Sequence, residues 1–232
     1  MLQFVRRRSA ATWWAVFAIV SIAAFAYVCV VVGRHGWVTH ADGRVLHWAT
    51  QQHRTWLRRT AKVIRRTMPP STIGAWAIVL SGVWSITRRD WRPLVVMLGC
   101  VLGVSVAVLL TKSIVVPHPP ALRGAPRGSV FPSGHTAIAG AVVGALAVLA
   151  GPRRPVRMAL SALLAAAVTI FVGSAMVVTR AHWLSDAIGG GLAAAAVVGV
   201  VGWADAVWPS GRQRLASRVR NSRAGASSAA RT

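Results

Sequence analysis

Four side chains of this 232-residue chain have types and spacings suited to chemistry: Lys112, His135, His182 and Asp186. His182 and Asp186 lie four residues apart at the start of an expected helix, hence on one face. There the carboxylate can accept the proton of one ring nitrogen and hold the other as a free lone pair, which makes His182 a nucleophile. His135 directly follows Ser133 and Gly134 at an expected helix amino terminus, where backbone N–H groups and the helix dipole attract an anion. Gly134 permits close backbone approach, and His135 can protonate a leaving oxygen as general acid. Lys112 adds a point charge, and Arg180, two residues before His182, is a further cation for an anionic ligand. Together these groups describe phosphoryl transfer through a covalent phosphohistidine, with charge neutralised by cations and backbone dipoles.

The elements that must bring them together are apolar. The chain is 55% hydrophobic, yet carries 27 Lys plus Arg against 4 Asp plus Glu, a formal net charge of +23. So much apolar composition excludes a disordered basic tail, and two cysteines exclude a disulfide-stapled secreted module. A nucleic-acid partner is not expected, because the bases fall in short clusters between apolar stretches rather than on one continuous face. Those stretches, Thr12 to Gly33, Ser71 to Thr87, Pro93 to Thr111, His135 to Ala150, Val156 to Val178 and Leu184 to Val207, predict six membrane spans in an all-α bundle. The first is too long for a signal-peptide core and is read as uncleaved. Ionisable residues at membrane depth are functional candidates by default, and those named above gather at one end of the bundle.

Arg clusters at 6–8, 88–92, 153–157 and 212–220 place both termini in the cytoplasm of a multi-pass cell-membrane protein, and the candidate site on the extracytoplasmic face. The expected organisation is a basic cytoplasmic segment over 1–11, one membrane domain over 12–207, and a basic, disordered cytoplasmic tail over 208–232. The segment from Gly43 to Met68 breaks the charge rule. Its bases alternate with Val45, Trp48, Trp56, Leu57, Val63 and Ile64, which predicts an amphipathic helix in the interface, suited to anionic lipid headgroups. Cys29 and Cys100 read as small buried hydrophobes. With so few carboxylates and no Cys/His cluster of zinc spacing, neither a metal nor a cofactor is expected. Oligomeric state leaves no mark on the sequence.

At these residues the chain resembles the type 2 phosphatidic acid phosphatase (PAP2) family, which is related to vanadium haloperoxidases. The family pattern is a Lys followed after six residues by Arg-Pro, then Pro-Ser-Gly-His, then Ser-Arg, five residues, His, three residues, Asp. The second block is complete as Pro132-Ser133-Gly134-His135, the third supplies His182 and Asp186, and the first supplies Lys112. The resemblance implies a metal-independent lipid phosphatase acting on a phosphomonoester or diphosphate, of polyprenyl diphosphate or phosphatidate type. It implies His182 as nucleophile, Asp186 as its orienter and His135 as acid, with membrane lipids and the lipid phosphate substrate as partners. Two motif arginines are absent: Pro119 stands at the first position, and Ala175-Met176 replace Ser-Arg. A one-residue shortening aligns His118-Pro119 with Arg-Pro, so His118 when protonated, Arg180, Arg123 or Arg127 are the candidate substitutes. The alternative is a catalytically inactive relative that binds anionic lipid.

Overall fold

A computed structural model describes residues 2–34, 37–51, 55–67, 69–115, 131–151 and 155–208. Every regular element among them is an α-helix: α1 (Leu2–Gly33), α2 (Trp37–Gln51), α3 (Thr55–Thr67), α4 (Pro70–Arg88), α5 (Arg92–Ile114), α6 (Gly134–Ala150), α7 (Pro155–Val178) and α8 (Leu184–Val207). Four stretches, Ala10–Gly33, Arg92–Ile114, Val156–Val178 and Leu184–Val207, are long and apolar enough to cross a membrane. The two other expected spans also form helices, but more modest ones. The 17 residues of α6 rise about 26 Å, short of a hydrocarbon core of about 30 Å, and α4 carries Ser71, Thr72, Ser81, Ser85 and Thr87 along its length. The first helix begins at Leu2 rather than Thr12, because arginine is a good helix former and nothing in the basic leader breaks the helix.

The core lies where α5, α6 and α8 meet. Val96, Met97, Cys100, Val101, Val104 and Val108 of α5 pack against Ala137, Ile138, Ala141, Ala145 and Val148 of α6 and Ala193, Ala194 and Val198 of α8. Small residues set the spacing. A Cβ on Gly199 would lie 2.8 Å from the Ala18 backbone, so α1 and α8 approach main chain to main chain, as helices do where packing rather than hydrophobic exclusion must hold them. Trp13, Ile19, Leu109, Leu163 and Ile170 stay exposed on the outside, an apolar girdle of the kind that lipid covers.

One polar knot fastens the end of the bundle remote from the candidate residues. The Arg92 guanidinium donates to both carboxylate oxygens of Asp205 at 2.8 and 2.9 Å, and to the carbonyls of Val148 and Leu149 at 2.9 and 3.2 Å. It thereby ties α5 to α8 and satisfies carbonyls that the last turn of α6 leaves open.

The segment 43–68, expected as one amphipathic helix, contains the end of α2 and all of α3. In α2, Asp42, Leu46 and Ala49 form a buried stripe at helical spacing. In α3, Ala61 is buried, with Leu57 and Ile64 beside it, while Arg59, Lys62, Arg65 and Arg66 are exposed. Arg58 donates to the carbonyls of Ala49 and Thr50 at 3.2 and 3.0 Å, closing the carboxyl end of α2 and setting the register of α3 against it.

Candidate active site

The site is built on two helix amino termini that touch. Ser133 caps α6 with its backbone extended, and its Oγ accepts the Thr136 N–H at 3.5 Å and the Thr136 hydroxyl at 3.1 Å. Gly134 and His135 are therefore the first residues of α6, and the amides there point out of the helix end. Trp183 caps α8, with Asp186 at the third helical position. The Asp186 Oδ2 reaches back to accept the Trp183 N–H at 2.8 Å, half of a capping box, and the same oxygen lies 3.2 Å from His182 Nδ1.

His182 thus meets Asp186 differently from the shared helical face expected of residues four apart. It sits outside the helix, and the carboxylate finds it by curling back over the cap. With Nδ1 protonated toward Asp186, Nε2 carries the lone pair. Asp186 is fully buried, and its Oδ1 has no hydrogen-bond partner among the described residues. The His182 side chain is 11% exposed, against none for Asp186.

A main-chain bond joins the halves. The Ser133 N–H donates to the Asp186 carbonyl at 2.9 Å, so the cap of one helix is pinned to the first turn of the other. Gly190 makes this possible, since a Cβ there would lie 2.5 Å from the Ser133 carbonyl oxygen and 3.1 Å from Thr136 Cβ. His135 is half-buried with His182, Arg65 and Lys112 near it, and its ring interacts with the Arg65 backbone. Lys112, half-buried in the last turn of α5, thus belongs to the same cluster.

The structure therefore brings together Lys112, Ser133, Gly134, His135, His182 and Asp186. Arg180 sits in the turn before His182, exposed and with left-handed backbone at φ 57°. His118, Arg123 and Arg127 lie outside the described residues. Among the described residues, no three His, Cys, Asp or Glu side chains form a metal-holding group.

Residues 111–208 match the PAP2 superfamily. The fold is similar to the crystal structure of the first transmembrane PAP2-type phosphatidylglycerolphosphate phosphatase from Bacillus subtilis, with a TM-score of 0.67 and 19% identity over 79% of this chain and 93% of that one. The PAP2 match over 111–208 spans the stretch that carries both helix ends of the site. Comparison with curated proteins gives no match.

Set on the PAP2 pattern, the third motif shows what fills its arginine position. Met176 is fully buried, packed with Ala61, Ala175 and Val178, and its carbonyl accepts the N–H groups of Ala181 and His182 at 3.0 and 3.3 Å. Sequence reasoning missed one further residue of this site. Asp42, 1% exposed, accepts the Ser185 N–H at 2.9 Å and the Ser185 hydroxyl at 2.7 Å, so α2 clamps the same helix end that carries Asp186. The available signal was an acid in register with Leu46 and Ala49 on an apolar stripe, in a chain with only 4 acidic residues.

Proposed function

We propose that this chain is an integral-membrane lipid phosphate phosphatase that hydrolyses a phosphomonoester or diphosphate of a lipid, of polyprenyl diphosphate or phosphatidate type. The observation that carries the reading is the His182–Asp186 pair, held beside the His135 helix end by the bond from Ser133 N–H to the Asp186 carbonyl. In the reaction, His182 Nε2 attacks phosphorus while the bond from phosphorus to the lipid oxygen breaks, and His135 hands its proton to that oxygen. Water then attacks the phosphohistidine, the P–N bond breaks, and His135 recovers a proton from the water. The balance is lipid phosphate plus water to lipid alcohol plus inorganic phosphate or, where the terminal phosphorus of a diphosphate is attacked and its bridging oxygen leaves, lipid diphosphate plus water to lipid monophosphate plus inorganic phosphate.

Lys112, the Ser133 and Gly134 end of α6, Arg180 and His118 hold the phosphate oxygens in this reading, and neither metal nor cofactor takes part. It includes six spans, with α4 and α6 completing the four that stand out by length, and α3 lying in the interface. The membrane domain runs over 12–207, both termini are cytoplasmic, and the site opens on the extracytoplasmic face, where a lipid headgroup reaches it from the bilayer. A similar fold in a phosphatidylglycerolphosphate phosphatase supports a glycerophospholipid phosphate among the candidate substrates.

The test is phosphate release from a panel of short-chain lipid phosphates and diphosphates in detergent, wild type against His182→Ala. Turnover of any substrate that His182→Ala abolishes supports the enzyme. Release no greater than that of His182→Ala across the panel rejects it in favour of an inactive lipid-binding relative, the reading that Pro119 and Met176 in place of two arginines would then favour.

A further inference from the structure

We infer that Arg65, carried by α3 and lying outside all three motifs, supplies the phosphate-gripping cation that the third motif lacks. The inference rests on the phosphatase reading for its lipid substrate, but its core claim is binding of a phosphate group, whether on a lipid or free in solution. Met176 gives the starting point. It is fully buried in an apolar cluster with Ala61, Ala175 and Val178, against which Leu57, Ile64 and Ala181 also pack. An arginine there would be a buried charge without a partner, whereas methionine turns the position into a docking point for α3.

What docks is a basic helix in a fixed register. Leu57, Ala61 and Ile64 face the cluster, and Arg58 is occupied with the carbonyls of Ala49 and Thr50. At 3.6 residues per turn, Arg65 lies about 40° around the helix from Ala61, whereas Arg59 and Arg66 lie about 140–160° away. Of these three, Arg65 alone is on the flank of the buried stripe. It lies one turn beyond Ala61, where α3 runs into α4, and a Cβ on Gly134 would come within 3.9 Å of Pro70, the first residue of α4. The same junction puts the Arg65 backbone against the His135 ring and the Arg65 charge within its reach. The guanidinium is exposed, free of the cost of burial, and its planar fork suits two phosphate oxygens at once. The apolar replacement inside the motif and the arginine outside it are thus two ends of one helix docking.

The experiment compares wild type, Arg65→Gln, Arg65→Lys, His182→Ala and, as a remote surface control, Arg157→Gln, all as full-length protein in detergent. One arm measures kcat/KM on the short-chain lipid phosphate that wild type turns over best, and the other the thermal stabilisation by inorganic phosphate. Arg65→Gln is expected to lower kcat/KM about 10²-fold or more and to lose the phosphate stabilisation, with Arg65→Lys intermediate in both and Arg157→Gln at wild-type level. Arg65→Gln within threefold of wild type in kcat/KM overturns the inference. So does an intact phosphate stabilisation, which would mark a loss of turnover as merely structural. Should Arg65→Gln fail to fold, Arg65→Lys decides by the same readouts, since an undiminished value in either removes the forked contact. If wild type releases no phosphate above His182→Ala, the phosphatase reading falls, and Arg65 is then judged on phosphate stabilisation alone. Stabilisation that is absent in wild type, or kept in Arg65→Gln, overturns it there too.

Discussion

Replacing Gly190 by alanine tests whether the contact between the α6 and α8 amino termini sets the rate. The added Cβ would start 2.5 Å from the Ser133 carbonyl oxygen, with Thr136 Cβ at 3.1 Å and the Ala137 nitrogen at 3.3 Å. Two of those three neighbours are backbone, so no side-chain rotation relieves the clash. To reach an ordinary contact of about 3.4 Å the helices must part by about 0.9 Å. The Ser133 to Asp186 bond, 2.9 Å in the native protein, would then stretch to about 3.8 Å and cease to be one. His182 and Asp186 ride with α8 and His135 with α6, so the proposed nucleophile and acid separate by a similar distance. Misplacement of about 1 Å costs on the order of 10² in rate, about 2.7 kcal/mol of barrier, and overpacking costs about 1–3 kcal/mol of stability.

The assay is kcat on a short-chain lipid phosphate together with thermal unfolding, and Gly103→Ala is the comparison. A Cβ at Gly103 would meet a Val197 methyl at 2.9 Å, a side-chain clash in the middle of the bundle. Gly103→Ala should lose stability yet keep kcat within about threefold of wild type. If Gly190→Ala turns over within threefold of wild type, the touching helix ends do not set the geometry of the reaction.

Three further perturbations separate chemistry from scaffolding. Asp186→Asn keeps an oxygen for the cap but loses the charge that orients His182, and kcat should fall by about 10² to 10⁴ in steady-state assays. Asp42→Ala leaves the Ser185 N–H and hydroxyl buried without their acceptor, so the protein should lose about 3 kcal/mol by denaturant titration, with a fall in kcat as the α8 end loosens. Arg92→Met strands Asp205 at the opposite end. Their side chains are 30% and 22% exposed, so the loss should be about 1–3 kcal/mol rather than that of a fully buried pair, and kcat should stay within about twofold of wild type.

The apolar runs and Arg clusters made the helical membrane fold legible, because an uninterrupted apolar stretch has few other uses. The Ser133 cap and the His182–Asp186 contact were legible for a different reason, since helix-start chemistry is local, but the form of that contact was not: His182 lies outside α8 and Asp186 reaches it over the cap rather than along a shared helical face. Asp42 was hidden because its partner, Ser185, is 143 residues away, and a lone acid on an apolar stripe reads as a surface residue until the other helix is in place. Arg65 was hidden by its neighbours, since five other bases surround it between Arg54 and Arg66 and composition does not say which one faces the site. The division of 43–68 between α2 and α3 was equally invisible, its imperfect periodicity being the sum of two stripes, Asp42-Leu46-Ala49 and Leu57-Ala61-Ile64.

The bond between the Ser133 N–H and the Asp186 carbonyl has a genetic consequence. Both partners are peptide groups, so apart from proline at position 133 no substitution at either position deletes a donor or acceptor from it. A drifting sequence can lose the nucleophile, the acid or any cation while the two helix ends keep meeting at the same distance. Members of such a lineage would fall silent by chemistry long before they fell apart, and regain activity by recruiting an arginine from wherever a neighbouring helix offered one.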